Sequence, residues 1–278
     1  MIKITERLRK YFFSKYKKMC LSSKIAELRN ELLQNCKYAI GRLEAAERMV
    51  TYIVSTNQMT TITSSPTPSV TDSPIQFSQM SVSKPGDATS YKITDELLNI
   101  FMILTHGVLI QEWEHFLNDV LVEGVIHYLR GYDLDPDFKL HLKNLKPGTE
   151  VSEIRKKLSA EVKKSHWGYK NLFDHSRKLF KVQETKLFEE MQKHVQVRHV
   201  FQHNRGEIRE EDLIAIGMSE NAPDRCFSVL DDKGQMRKYK KGETILLSNP
   251  EIQKLLEIIE KYSQAFQTQA EKAKPITE

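Results

Sequence analysis

The first strong pattern in the chain is helical. From about Ser22 to Ser55, apolar residues recur at spacings of three, four or seven, which is the period of one helix face. They are Ile25, Leu28, Leu32, Ala39, Leu43, Ala46, Val50 and Ile53. Ser22 or Ser23 can cap this helix. Because a single helix cannot bury such a stripe, we expect it to pack on the main domain, on the basic segment before it, or on a second subunit.

The next segment breaks this pattern. From Asn57 to Ser90 the chain is dominated by Ser, Thr, Pro and Gln, with sparse charge and few apolar residues. Such a composition predicts a flexible linker or a poorly ordered loop. The chain is therefore divided into N-terminal basic and amphipathic helices at 1–56, a linker at 57–92 and a helical main domain at 93–278.

Helical patterns return in the main domain. The longest runs from Thr94, which can cap it, to Leu129. Gly107 and Gly124 lie inside this helix and predict kinks or close approaches of a neighbouring helix. Further helices are predicted at Glu150–Lys164, at Gly168–Phe180, and from Gln183 to a left-handed stop at Gly206.

The helical periodicity of the sequence ends at Gly206. Short mixed runs follow at Asp212–Met218, Cys226–Leu230 and Lys238–Leu247. The turn sequence Asp231–Gly234 predicts a β-hairpin, and Ser248 with Pro250 predicts the capped start of a last amphipathic helix that reaches about Lys272. The predicted fold class is all-α: a helical bundle with a small β-hairpin insertion before the last helix and an N-terminal helical appendage.

The amino-acid composition indicates the class of protein and the cellular compartment that we expect. The hydrophobic fraction of 40% and charged fraction of 28% are those of an ordinary soluble protein, and a net charge of +5 is only a weak bias towards polyanions. Cys20, Cys36 and Cys226 are odd in number and show no paired spacing, which argues against a disulfide framework and favours a reducing cytoplasm. Because no apolar run approaches the roughly 18 residues of a membrane helix, we expect no membrane association.

Basic and aromatic residues crowd the first 18 positions. No apolar segment follows them, so they do not form a secretory signal. They could form an amphipathic surface helix for a membrane, RNA or a partner, or a basic helix that packs its aromatic residues onto its own protein.

The sharpest chemical signal lies at the end of the helix that begins near Gln183. Arg198 and His203 are separated by four residues, and His199 follows the arginine directly. Arginine carries a planar, permanently charged fork that can hold two phosphate oxygens. An ordinary imidazole titrates near neutrality and can therefore donate or accept protons.

In this segment the chain resembles the HEPN superfamily, in particular its RiboL-PSP-HEPN and MAE-like ribonuclease domains. The mark of that superfamily is Arg, a polar residue, three further residues and His. Here His199 occupies the polar position, where Asn is commoner. The segment Trp113–Leu117 and the run Gly242–Ile245 are similar too, so the resemblance covers about Thr94 to Phe266 and excludes the N-terminal helices.

The resemblance implies a metal-independent endoribonuclease. Arg198 would hold the scissile phosphate and stabilise its transition-state charge, and His203 would act as general base on the 2′-OH or general acid to the leaving 5′-oxygen. His199 is a candidate for a second acid–base or phosphate-orienting group. The products would be a 2′,3′-cyclic phosphate and a 5′-OH, with no cofactor.

Three neighbours are candidates for supporting roles. Glu114 could reach Arg198 or orient a histidine, or it could simply belong to a polar helix face. Asn204 and Arg205 could contact RNA phosphate or sugar, and Asn204 could instead cap its helix.

The spacing of His199 and His203 also occurs in zinc sites. The helical zinc-protease motif needs Glu beside the first His, and Val200 stands there in this chain. We therefore predict no metal ligands.

Helix geometry constrains the pair. At about 100° per residue, Arg198 and His203 lie about 140° apart on an ideal helix and do not face one point. Either the helix loosens near His203, or two subunits each contribute a pair. The resemblance implies the second solution, which is a composite cleft in a homodimer.

The resemblance also implies a role in antiviral defence or as a toxin that acts on RNA, held in check by an antitoxin or sensor protein. Other interpretations stay open. The domain could be a non-catalytic module that binds RNA, nucleotide or protein, or the match could be a chance one, with Arg198 in an ordinary polar helix end paired with Glu207 or Glu211. A membrane-surface adaptor that uses the basic N-terminus is a third possibility.

Overall fold

The structure is a computed structural model, and it describes residues 20–55, 88–134, 150–164, 169–183, 185–215 and 226–275. These ranges contain seven helices and one hairpin. The elements are α1 (Leu21–Ser55), α2 (Ala88–Leu129), α3 (Val151–Lys164), α4 (Tyr169–Leu179), α5 (Thr185–Asn204), α6 (Glu210–Ala215), β1 (Phe227–Leu230), β2 (Met236–Tyr239) and α7 (Asn249–Lys272). The predicted helical bundle with a hairpin before its last helix is confirmed. No helix within these ranges is long and apolar enough to cross a membrane.

An aromatic cluster forms the centre of the bundle. Trp113 of α2 is fully buried, and its ring lies 5.7 Å from Tyr262 and 6.4 Å from Phe266, both on α7. Phe173 of α4 completes the contact at 6.2 Å from the same ring. Tilted and edge-to-face rings of this kind add about 0.5–1.5 kcal/mol per pair to the burial of their surfaces. α2 is therefore the central helix, with neighbours around most of its circumference.

Helix α1 packs on α2 and α7. Its buried residues Ile25, Leu32 and Leu43 belong to the same apolar core as Trp113. Of the three predicted packing partners for this helix, the main domain is the one that the structure shows. The basic segment at positions 1–18 and nearly all of the predicted linker lie outside the described residues.

One predicted helix cap and one predicted helix start are wrong. α1 begins at Leu21, so the cap position falls to Cys20, whose Sγ lies 3.0 Å from the Ser22 hydroxyl. α2 begins at Ala88 and not at Thr94, because no proline or glycine stands between them to interrupt the helix.

The two glycines of α2 differ in their surroundings. A Cβ added at Gly124 would meet Leu179 Cδ2 at 2.5 Å and Phe180 Cε2 at 2.7 Å. The predicted close approach is therefore confirmed there, between α2 and the end of α4. At Gly107 an added Cβ would meet nothing within 4 Å, so the same prediction is wrong at that position.

The region before α7 contains one element that the sequence analysis missed. Residues 210–215 form the helix α6, where Asp212–Met218 was placed among the mixed runs. Three acidic residues in the first turn favour this helix, because negative charge is stabilised near a helix N-terminus. The hairpin itself is confirmed, with Phe227 paired to Tyr239 and Leu230 to Met236. The predicted cap of α7 is also confirmed, since the Ser248 hydroxyl accepts from the Glu251 backbone N–H at 3.3 Å.

Candidate active site at the end of α5

The three candidate catalytic residues lie on the last two turns of α5. His199 and His203 are exposed, and Arg198 is half-buried. The helix continues without interruption to Asn204, so it does not loosen before His203. No hydrogen bond or ring contact joins Arg198 to His203 among the described residues. On a regular helix their side chains then leave the axis about 140° apart.

The two exposed histidines stack on each other. Their ring centroids are 4.4 Å apart, with the rings tilted by 46°. This follows from their spacing, because residues four apart lie on the same face of a helix. The result is a pair of imidazoles on the solvent side of the helix end.

Arg198 points to the neighbouring helix α2 and not to solvent. Its Nη1 donates to Glu114 Oε2 at 3.0 Å, and the two side chains are only 20% and 31% exposed. The possibility that Glu114 reaches Arg198 is thus confirmed. Arg198 forms no ion pair with Glu207 or Glu211 among the described residues, and Glu211 lies 3.8 Å from Arg209, so that alternative pairing is wrong. The Nε of Arg198 is buried without a hydrogen-bond partner among the described residues.

A buried histidine pair lies one turn below Arg198. His106 Nε2 of α2 and His194 Nδ1 of α5 are 3.3 Å apart, and both side chains are almost wholly buried. Burial, followed by the nearby charges of Lys193 and Arg198, lowers the pKa of His106 to about 3. Burial also holds the pKa of His194 well below its ordinary value. Both rings are therefore neutral, and one donates a hydrogen bond to the other.

A buried ion pair connects α5 to α7. Lys193 Nζ lies 2.7 Å from Glu251 Oε1 at the start of α7, and it also donates to the Ser228 carbonyl at 2.9 Å. The second oxygen of Glu251 accepts from the Leu230 backbone N–H at 2.8 Å. Burial lowers the pKa of Lys193, and the Glu251 carboxylate acts against that shift. This cluster joins α5, α7 and strand β1.

The chain turns sharply after Asn204. Arg205 and Gly206 both adopt a positive φ, of 56° and 88°, and the Gly206 N–H donates to the Val200 carbonyl at 3.2 Å. The predicted left-handed conformation at Gly206 is confirmed, and it begins one residue earlier at Arg205. A Cβ at Gly206 would lie 2.8 Å from Phe201 Cε1, so glycine also meets a steric requirement here.

Asp212, which the sequence analysis passed over, organises this turn. Its buried carboxylate accepts from Asn204 Nδ2, from Gln196 Nε2 and from the Arg209 backbone N–H, each at 2.9 Å. Asn204, a candidate for RNA contact, thus directs its amide to this carboxylate, whereas Arg205 is exposed. An acidic residue at the third position of a helix that bonds the preceding cap residue is half of a capping box, and that signal was available in the sequence.

A basic strand adjoins the turn and was also missed. Residues 237–241 read Arg-Lys-Tyr-Lys-Lys, and clusters of this kind are a known signal for nucleic-acid surfaces. Directly after this strand, residues 242–245 form backbone hydrogen bonds with residues 206–208, which follow His203 in the chain. Ile208 N–H donates to Glu243 O at 3.1 Å, Gly242 N–H to Ile208 O at 2.9 Å, and Ile245 N–H to Gly206 O at 3.0 Å.

Within the described ranges, no group of three or more His, Cys, Asp or Glu side chains is arranged to hold a metal ion. His199 and His203 have no third ligand beside them there. The chemistry that this helix end offers is thus one guanidinium and two imidazoles.

Comparison with known proteins gives no match. No family model matches the chain, and neither a curated protein nor a solved structure does. The resemblance to HEPN domains therefore stays a prediction from the motif residues of the sequence.

Proposed function

We propose that the chain is a metal-independent endoribonuclease of the HEPN type. The observation that carries this proposal is the helix end itself, where Arg198 is held by Glu114 and the stacked imidazoles of His199 and His203 face solvent. A guanidinium and two imidazoles are sufficient for RNA cleavage by the neighbouring 2′-OH, because that reaction needs charge stabilisation and two proton transfers.

The proposed reaction divides these tasks. An imidazole takes the proton of the 2′-OH, whose oxygen forms a bond to phosphorus as the bond to the 5′-oxygen breaks. An imidazolium gives its proton to that leaving oxygen, so that a 2′,3′-cyclic phosphate and a 5′-OH result. Arg198 holds the non-bridging oxygens. His203 is the proposed base or acid, and His199 is the second proton carrier or orients the phosphate.

Glu114 is a positioning residue in this scheme. Its carboxylate fixes one end of the Arg198 guanidinium and leaves the remaining Nη donors for a phosphate. Because the pair is largely buried, removing Glu114 would leave a cation without its partner, at a cost of about 1–3 kcal/mol.

Cleavage is tested first with purified protein and total RNA in excess EDTA. We expect products with 2′,3′-cyclic phosphate ends, and a loss of about 10²–10⁴-fold in rate for His203→Ala and for Arg198→Ala. His115→Ala is the matched control, because this exposed histidine of α2 stands outside the site. Equal cleavage by the wild-type protein and by both site variants would reject the proposal.

The proposed active enzyme is a homodimer with a composite cleft. The uninterrupted helix α5 keeps Arg198 and His203 on different sides, so a second copy supplies the missing partner. Mixing Arg198→Ala with His203→Ala tests this arrangement. Each mixed dimer then holds one intact site, and because half of the dimers are mixed, about one quarter of the wild-type rate should return. If each chain forms its own complete site, mixing restores nothing.

One observation favours a second candidate, a non-catalytic RNA-binding or dimerisation module. Arg198 is only 20% exposed and its charge already faces Glu114, as expected of a structural ion pair. RNA binding or dimerisation without cleavage would support this candidate. Growth arrest on expression, abolished by Arg198→Ala, would support the enzyme and its proposed place in defence or in a toxin system with an antitoxin or sensor partner.

A further inference from the structure

Strand β2 and the turn after it carry an unusual concentration of positive charge. Four cations occur within five residues, namely Arg237, Lys238, Lys240 and Lys241. All four are exposed, whereas Tyr239 between them is buried. Lys238 lies in β2 and Lys240 directly follows the strand, with the buried Tyr239 between them.

Two nearby acidic side chains, Asp231 and Glu243, accept hydrogen bonds from backbone groups. The Asp231 carboxylate accepts from the backbone N–H groups of Lys233 and Gln235, at 2.9 and 2.8 Å. The Glu243 carboxylate accepts from the backbone N–H of Lys240 at 2.6 Å. These carboxylates therefore shape the two turns of the hairpin.

Two of the four cations have partners among the described residues. Lys241 lies 3.5 Å from Glu210 on the surface. Arg237 lies over the Tyr239 ring at 4.8 Å. Lys238 and Lys240 have no carboxylate within ion-pair distance among the described residues. An exposed, unneutralised row of lysines attracts polyanions.

The hairpin holds these cations in a fixed place. Tyr239 is buried, pairs with Phe227 and donates from its hydroxyl to the Leu246 carbonyl at 3.4 Å. On the opposite strand, Leu230 is bound by Glu251 and by the Ser248 hydroxyl, the latter at 2.6 Å. The backbone pairing of 242–245 with 206–208 then joins the basic strand to the turn that follows His203.

We infer that the exposed Lys238 and Lys240, at the end of β2, bind the sugar-phosphate backbone of single-stranded RNA that runs to the end of α5. This inference rests on the proposed function and names the surface that its substrate uses. Lysine binds phosphate as a point charge and carries no base preference, so the contact is independent of sequence.

The test uses Lys238→Glu with Lys240→Glu in a His203→Ala background, so that binding is measured without cleavage. A fluorescein-labelled oligouridylate is the probe, and anisotropy is recorded over a series of salt concentrations. We expect at least a tenfold loss of affinity. The slope of log K against log salt should become shallower by about 1.4, because each phosphate contact on a single strand contributes about 0.7.

Matched variants separate this surface from net charge. Lys37→Glu with Arg42→Glu changes the charge equally on the exposed face of α1 and should leave affinity and slope almost unchanged. Lys238→Arg with Lys240→Arg keeps the charge and should retain binding. Equal losses in both Glu pairs, or no loss in the β2 pair, would overturn the inference, as would binding of anionic vesicles in preference to RNA.

Parallel cleavage assays distinguish the two proposals. If the wild-type protein cleaves RNA while the β2 variant binds normally, the ribonuclease stands and the binding surface is wrong. If the β2 variant loses RNA binding while the wild-type protein never cleaves, the surface stands and the ribonuclease is wrong.

Discussion

At the scale of single residues, the most consequential feature is the neutral histidine pair beneath the site. His106 and His194 touch each other inside the bundle, and the charged groups around them are Lys193, Arg198, Lys254 and Glu251. A proton added to either ring would place a cation in a buried position that already contains cations. The pair is thus a structural weakness in acid.

We expect stability to fall as pH drops below about 6.5. The pKa of His106 is lowered to about 3, so the unfolded chain binds more protons than the folded chain between those values. Stabilisation is complete above the unfolded pKa and is lost on the way down to the folded one. The slope is at most about 1.4 kcal/mol per pH unit for each histidine.

Urea unfolding at several pH values measures this dependence. His106→Gln should flatten it, whereas His115→Gln, which changes an exposed residue of the same helix, should not. An unchanged slope in the His106 variant would show that other groups cause the loss of stability in acid.

Residue-level contacts were only partly predictable from sequence. Arg198, His199 and His203 stand out because their chemistry and spacing are local. Glu114, in contrast, lies far from Arg198 in the chain, and its contact depends on how α2 and α5 cross. The burial of His106 was equally hidden, since one polar residue in an apolar window gives no sign of a partner on another helix.

At the scale of elements, the distance between packed helices determines which side chains a position can accommodate. Gly124 lies where α2 meets the end of α4, and Gly107 lies in open space on the same helix. Sequence reasoning gave both glycines the same interpretation, because the neighbour that separates them belongs to another part of the chain.

Alanine at these two positions should have opposite effects. Gly124→Ala pushes a methyl group into Leu179 and Phe180 and should destabilise the fold by about 1–3 kcal/mol. Gly107→Ala meets nothing and should be neutral or stabilise the helix by up to about 1 kcal/mol. The midpoint of thermal unfolding, followed by circular dichroism, measures the stability of both variants. A similar shift of this midpoint in the two variants would contradict the close approach at Gly124.

The boundaries of the helices were also only partly predictable from the sequence. Long periodic helices such as α1 and α7 were predictable, because many residues repeat one signal. Helix starts were less predictable, since Cys20 is a poor cap residue by type and α2 begins six residues before Thr94, its expected cap.

At the scale of the whole molecule, α1 shares one core with the helices that carry the candidate site. Leu43 is buried in the cluster that contains Trp113, although a long segment separates α1 from α2 in the chain. The apolar stripe on α1 predicts that this face is covered, but an amphipathic pattern does not show which element covers it.

Leu43→Ala should therefore destabilise the entire bundle by about 2–5 kcal/mol. The midpoint of unfolding, read from tryptophan fluorescence, should shift in a single transition. Met49→Ala is the control in the same helix, since Met49 is 65% exposed and should change stability by less than about 0.5 kcal/mol. A midpoint that does not respond to Leu43→Ala would mean that α1 unfolds by itself.

The backbone pairing of 206–208 with 242–245 has one more consequence for a ribonuclease built in this way. It fixes Lys238 and Lys240 at a constant separation from the candidate histidines of α5. In the proposed enzyme, an RNA bound at these lysines would be cut at a set number of nucleotides from them. Such an enzyme would select its substrates by length and not by base sequence, and an RNA too short to reach both places would escape cleavage.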